Sequence, residues 1–395
     1  MRRRNLLVML FLALSTLIAL QVDADKVLAG NNSNRMCPTM SAQASGCIHN
    51  ETHSPLEQVE SSSPSTGLPQ FALANQSESL IPLEQGEIGT PVEVSQVQST
   101  LVNQPEPLIT NDPYVDRQWA LSKIEASRLW QTTTVSQKVI VAILDTGIDQ
   151  DHEDLKGKVI DEANFTDSLT SSDIYGHGTH IAGIIAAEAN NSVGIVGMAP
   201  ESQLINVKVA DDRGRCQALE VAKGILWAVN SGANVINISV EIRGSSLELE
   251  EAVNYAWSHG SLIVAAAGND GSGAPVYPAV YENCIAVAAT KQDDSLAPLS
   301  NHSGWVDIAA PGFSIYSTLP DNKYGYKSGT SFACAYVSGM AALLFAQVTD
   351  TNGDGWLNDE VRAVIEDGCQ EIGIDGVGGG RIDAAKAIAQ VSNTS

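Results

Sequence analysis

Val139-Ile140-Val141-Ala142-Ile143-Leu144-Asp145-Thr146-Gly147-Ile148-Asp149 is the stretch that decides the fold. The apolar run from Val139 to Leu144 has no alternation, as in a strand covered on both faces within a parallel sheet. It ends on a carboxylate and a glycine turn, and open α/β sheets place their ligands beyond the carboxyl ends of their strands. Comparable strand-like runs follow at Leu204 to Val209, Val235 to Val240, Leu262 to Ala267 and Ile285 to Ala289. Helical stretches, including Ala218 to Asn230 and Leu247 to His259, lie between them. The alternation predicts a three-layer, doubly wound α/β fold with a mostly parallel sheet and helices on both faces.

Two other stretches carry chemistry. Gly176-His177-Gly178-Thr179-His180-Ile181-Ala182-Gly183 sets a histidine between glycines at the start of an apolar helix. Gly329-Thr330-Ser331-Phe332-Ala333-Cys334-Ala335-Tyr336 opens a second apolar helix with a serine near its head. The positive end of the helix dipole favours developing negative charge there. Taken singly, Ser331 reads as an N-cap, and Asp145 and His177 as buried structural groups. The chain order Asp145, His177, Ser331, each at the edge of a buried element, is much harder to explain that way.

These motifs and their order resemble the subtilisin-like serine proteases, for which Asp–His–Ser is the subtilisin order. The sequence is most similar to the thermitase-like branch. The resemblance runs from Asn111-Asp112-Pro113-Tyr114 to about Ala389. It includes Val253-Asn254-Tyr255-Ala256-Trp257, Val264-Ala265-Ala266-Ala267-Gly268-Asn269, and the block from Asn190 to Pro200. It implies that Ser331 is a nucleophile, His177 its base and then acid, and Asp145 the group that orients the imidazole. It also makes Asn269 an oxyanion donor, assisted by the Ser331 N–H; alone, Asn269 reads as a turn residue after a strand.

The same resemblance implies that substrate adds as an antiparallel strand along Ser239-Val240-Glu241 and Gly214-Arg215-Cys216. Gly268 then borders the primary pocket and Val276 lies at its floor, which suggests a medium apolar P1 residue. Glu241, Ile242 and Cys216 stand where the family carries glycine, and Ala335 and Tyr336 where it carries Pro and His. The last two changes are expected to alter helix packing rather than chemistry. For the cleft, two consequences stay open. Glu241 and Ile242 obstruct it and leave a protein-binding module, or Glu241 and Arg215 select charged side chains.

Two loops are candidate Ca²⁺ sites. The resemblance implies side-chain ligands Asp112, Asp154 and Asn191, with carbonyls from Ala189, Val193 and Ile195; hard oxygen donors from distant segments suit calcium. The loop Asp350-Thr351-Asn352-Gly353-Asp354-Gly355-Trp356-Leu357-Asn358 keeps the first EF-hand positions through Asp350, Asn352 and Asp354. Its twelfth position is Val361, with Glu360 one residue early. A weak Ca²⁺ site and a polar turn both fit.

Met1-Arg2-Arg3-Arg4, the apolar run Leu6 to Leu20 and Val22-Asp23-Ala24 read as a signal peptide over residues 1–24. The run is shorter than the ~20 residues of a membrane span, and Arg3-Arg4-Asn5-Leu6-Leu7 weakly resembles a twin-arginine signal. No Lys or Arg occurs between Arg35 and Arg117. Residues 25–108 are read as a low-complexity spacer, with a degenerate propeptide or an unstructured tail as alternatives. Residues 109–395 suit one peptidase domain. The expected product is a secreted, extracellular or periplasmic monomer that acts on proteins or peptides and keeps no membrane anchor.

A net charge of −24 argues against nucleic acid as a partner. A phosphate-binding module is set aside, since neither a G-x-G-x-x-G nor a P-loop occurs in strand–helix context. Cys37 and Cys47 could bridge; Cys216, Cys284, Cys334 and Cys369 read as small buried thiols.

Overall fold

The computed structural model describes residues 45–47, 110–132 and 139–394. The expected signal peptide, nearly all of residues 25–108 and the side chains of Cys37 and Cys47 lie outside them. Among the described residues the first strand is β1 (Ser45–Cys47), and the first α-helices are α1 (Trp119–Lys123) and α2 (Ala126–Thr132). The deciding apolar run forms β2 (Ile140–Asp145). It lies between two parallel neighbours, β4 (Gln203–Lys208) and β6 (Val235–Ile238), with Val141 opposite both Leu204 and Val235.

With β3 (Val159–Asn164), β7 (Leu262–Ala266), β8 (Cys284–Thr290) and β9 (Ile308–Pro311), these strands form one seven-stranded sheet of order β3-β4-β2-β6-β7-β8-β9. Every pairing in it is parallel.

Strand side chains alternate between the two faces, so an unbroken apolar run feeds two cores at once. Val141 and Ile143 pack with α3 (Gly178–Ala186) and α6 (Thr330–Phe345) on one side. Ala142 and Leu144 pack with α4 (Ala218–Asn230) and α5 (Leu247–Ser258) on the other. The amphipathic α4 and α5 open on side-chain caps, Gln217 with Glu220 and Ser246 respectively. By contrast, all of α6 is buried, as suits a helix with no polar face. The expected doubly wound architecture is present, with α7 (Asn358–Asp367) and α8 (Ala384–Thr394) closing the chain.

Strand β3, strand β9 and the hairpin of β10 (Ile315–Leu319) with β11 (Lys323–Lys327) were not among the expected elements. Each lacks a buried apolar run of ordinary length: β3 is a polar, largely exposed edge, β9 has four residues, and β11 reads Lys-Tyr-Gly-Tyr-Lys. Strand β5 (Arg215–Gln217) pairs antiparallel with β1, Gly46 opposite Cys216. A strand inside the 25–108 stretch was likewise not expected. Among the described residues no helix is long and apolar enough to cross a membrane.

Candidate active site

Asp145 is the last residue of β2, at the carboxyl edge of the sheet. Its Oδ1 accepts the Thr146 N–H at 2.7 Å and lies 2.7 Å from His177 Nδ1. Both side chains are fully buried. His177 sits at the N-cap of α3, where the chain turns from the loop into the helix. That loop is clamped by Asp173, which the sequence reading missed. Asp173 accepts from Thr146 Oγ1 (2.8 Å) and Gly176 N (2.7 Å) on one oxygen, and from Thr179 N (2.8 Å) and Oγ1 (2.7 Å) on the other. A carboxylate shortly before a helix start is a capping signal, and that pattern could have found it.

Ser331 is the second residue of α6, and Gly329 is the N-cap, so the capping reading of Ser331 is not what the structure shows. Ser331 Oγ donates to the Ser239 carbonyl at 3.4 Å, and Ser239 Oγ donates back to the Ser331 carbonyl at 3.2 Å. The His177 ring lies 5.5 Å from the Phe332 ring, so imidazole and serine share one end of α6. His180, one turn on, packs on the same ring at 4.6 Å. Burial holds the His180 pKa well below the usual imidazole value.

Asn269 is fixed by Thr330, another residue missed in sequence. Thr330 N and Oγ1 donate to Asn269 Oδ1 at 2.8 and 3.2 Å, and Gly268 N donates to Thr330 Oγ1 at 3.1 Å. With its oxygen so engaged, the amide turns its Nδ2 donor away from Thr330. Asp145, His177, Ser331 and Asn269 thus come from four segments far apart in sequence to one end of the sheet.

The cleft walls correct part of the reading. Ile242 and Cys216 are buried in the core with Val240 and Val276, so neither narrows the cleft. Glycine is replaced there by side chains that point inward, not across. Glu241 faces the other way. Arg215 is exposed and tied to Asp211, with Nε and Nη2 at 2.9 and 2.6 Å from Oδ2. Gly214 faces the Tyr175 ring. Ala335 and Tyr336 are buried within α6, consistent with a packing role.

The loop holding Asp112, Asp154 and Asn191 is interlocked. Asp112 accepts the N–H groups of Asn190 and Asn191 at 3.0 and 3.2 Å. Asp154 accepts from Asn191 Nδ2 and Ile195 N at 2.8 Å each, and from the Tyr324 hydroxyl at 3.3 Å. Burial, against these hydrogen bonds, raises its pKa to about 6, and the Asp112 charge adds to the rise. Gly194 has φ +46°, and a Cβ there would lie 2.2 Å from Asp154 Oδ2 and the Tyr324 oxygen. Among the described residues, no main-chain N–H donates to the carbonyls of Ala189, Val193 or Ile195. Two buried carboxylates, an amide oxygen and three available carbonyls fit a hard cation.

The loop of Asp350, Asn352 and Asp354 differs. It is exposed, and its carboxylates satisfy its own backbone. Asp350 accepts from Gly353 N and Gly355 N (2.6 and 2.9 Å), Asp354 from Trp356 N (2.8 Å), and Glu360 from Thr351 N (2.8 Å). Among the described residues, no three His, Cys, Asp or Glu side chains converge as a metal site. Cys216, Cys284, Cys334 and Cys369 are buried and unbridged, as expected. Burial pushes the Cys334 and Cys369 thiols up to about 12.

The parallel sheet thus carries a carboxylate, an imidazole and a helix-borne serine at its carboxyl edge. Residues 136–378 match the subtilase family (Peptidase_S8), and the chain belongs to that family. Over 282 residues it is 44% identical to thermitase of Thermoactinomyces vulgaris, covering 70% of this chain and 98% of that protein. It is 46% identical over 244 residues to a thermophilic serine proteinase of a Bacillus strain, covering 62% of this chain and 59% of the relative. A solved protease from Pseudoalteromonas arctica superposes with TM-score 0.64 at 30% identity, covering 72% of this chain and all of that one. The protein is a serine-type endopeptidase of the thermitase-like branch.

Proposed function

We propose that Ser331 is the nucleophile, His177 the base, Asp145 its orienting carboxylate and Asn269 the oxyanion donor of this endopeptidase. The 2.7 Å bond between His177 Nδ1 and Asp145 Oδ1 carries the reading. With Nδ1–H donated to the carboxylate, Nε2 holds the lone pair that takes the serine proton. Rotation of the Ser331 side chain from the Ser239 carbonyl brings Oγ to His177 as substrate enters, since apo hydrogen bonds of this kind are often long. Attack on the scissile carbonyl places negative charge on its oxygen. Asn269 Nδ2 and the Ser331 N–H, one of the unpaired first N–H groups of α6, receive that charge. The imidazolium then protonates the leaving amine, and water, activated by the same imidazole, releases the acyl group.

Asp112, Asp154, Asn191 and the carbonyls of Ala189, Val193 and Ile195 would hold Ca²⁺, whose charge offsets two buried carboxylates. Residues 109–395 act as the peptidase domain. Residues 1–24 direct export to an extracellular or periplasmic location, and 25–108 form a spacer. The substrates are proteins or peptides, and the chain acts as a monomer.

Casein hydrolysis by the full chain and by Ser331→Ala tests the assignment. Turnover should fall by roughly 10⁶ in the variant, a magnitude measured on subtilisin itself. Asn269→Ala should lose ~10²–10³, again the subtilisin value. Residual activity in Ser331→Ala close to wild type would assign the nucleophile elsewhere.

A further inference from the structure

Strand β4 ends on a lysine that the mechanism above does not use. Lys208 lies opposite Asp145 in the parallel register of β2 and β4, and it is fully buried. Side chains alternate along a strand, so Leu204, Asn206 and Lys208 share one face. Leu204 belongs to the core that holds α3, and Val207 to the core on the other side of the sheet. Lysine is seldom fully buried unless paired, because its charge must be matched by acceptors.

Those acceptors are present. Lys208 Nζ donates to the Thr146 carbonyl, to the Ser172 carbonyl at 3.2 Å and to Asp212 Oδ1 at 2.9 Å. An ammonium has three donors, and these three acceptors use all of them. The Lys208 hydrogen bond holds the Asp212 carboxyl below its usual range. The other two acceptors are main-chain carbonyls, each next to a residue of the site. Thr146 follows Asp145, and Ser172 precedes Asp173.

The two loops joined in this way touch along their backbones. A Cβ on Gly147 would lie 2.2 Å from the Ser171 carbonyl oxygen, and one on Gly178 would lie 2.1 Å from the Gly147 oxygen. Asn206 Nδ2 donates to the Ser171 carbonyl at 3.0 Å. Successive polar residues on one face of β4 therefore hold successive carbonyls of the loop. Asp173 passes that placement to His177 by accepting from Gly176 N and Thr179 N on either side of it. The 2.7 Å contact between His177 Nδ1 and Asp145 Oδ1 spans these same loops, so a shift of either one changes it.

We propose that Lys208 is a positioning residue of the peptidase, which ties the Thr146 and Ser172 carbonyls together and so sets the approach of the His177 imidazole to the Asp145 carboxylate. It acts through the two loops and touches none of the reacting atoms. The proposal rests on the peptidase reading above and deepens the account of that same site.

The test uses the full chain and a peptide substrate, well below the melting point. Lys208→Met keeps much of the side chain and removes its donors. Its kcat should fall about 10–100-fold, as a displacement of order 1 Å at a reacting group can cost ~10²-fold. KM should stay within about threefold of wild type, since no substrate contact is lost. Asp212→Asn leaves both carbonyls held and should keep kcat within about threefold. Ile225→Val, in the core on the far side of the sheet, lowers stability alone and should leave kcat unchanged. A kcat for Lys208→Met within about twofold of wild type, or an equal loss in Asp212→Asn or Ile225→Val, overturns the proposal. If Lys208→Met does not fold, Lys208→Gln, a shorter and neutral donor, is read by the same criteria. A second measurement needs no turnover. The proton shared by His177 Nδ1 and Asp145 gives a low-field magnetic resonance signal that follows the length of their hydrogen bond. In Ser331→Ala, adding Lys208→Met should move or abolish that signal. An unchanged signal overturns the positioning role even if casein is cleaved; a changed one supports it even if the nucleophile proves to lie elsewhere.

Discussion

The two candidate cation sites both offer carboxylate and amide oxygens, one from three distant segments and one from a single loop, and they differ in structure. Asp112 and Asp154 are buried, Asp154 gathers donors from Asn191, Ile195 and Tyr324, and burial lifts its pKa to about 6. Around Asp350, the carboxylates are exposed and cap their own turn through Gly353 and Gly355. Carboxylate count therefore does not decide which loop needs a cation. Burial does, because desolvation penalises the charged form and a positive ion relieves it.

The largest effect should come from Asp154→Ala. It strips the acceptor from three donors in a buried loop and should cost about 3 kcal/mol or more of stability in denaturant melts. A loss under about 1 kcal/mol would mean that the interlock is dispensable.

Next comes metal removal. Chelator should lower the melting point of wild type relative to saturating Ca²⁺, by the equivalent of about 2.7 kcal/mol at a hundredfold excess over Kd. Asp154→Asn should show little of this shift, and Asp350→Ala nearly all of it. The reverse pattern would move the cation to the 350–360 loop.

A smaller effect is pH-dependent and is read in chelator. Because the folded pKa of Asp154 is raised, folded protein binds a proton before unfolded protein does. Its contribution then favours folding as pH falls through about 6 and is lost as pH rises. His180 and His152, whose pKa values are lowered by burial, work oppositely: the unfolded chain protonates first, so stability falls as pH drops below 6.5. The stability difference between wild type and Asp154→Asn cancels the histidines, and it should shift in favour of wild type between pH 7 and 5. A flat difference would show that Asp154 does not titrate there. Asp350→Ala and Asp354→Ala should change stability least, within about 0.5–1 kcal/mol.

Sequence by itself determined the sheet, because a both-sides-apolar strand such as Val139 to Leu144 has only one comfortable place, a parallel layer between helices. It also marked Asp145, His177 and Ser331 by their order at the edges of apolar elements, and Asn269 through the resemblance to the subtilisin-like proteases. Strands β3, β9 and β11 were not legible, being edge or short elements whose pairing comes from neighbours rather than from their own pattern. Only tertiary structure decided side-chain direction. It turned Ile242 and Cys216 into the core and set Glu241 beside Gly268. It set Thr330 behind Asn269 and Asp173 behind His177. It also buried Asp154 while leaving Asp350 in water. Local pattern records which residues are apolar. Which polar group loses its water depends on what packs over it from elsewhere in the chain, and that loss governs both charge and chemistry.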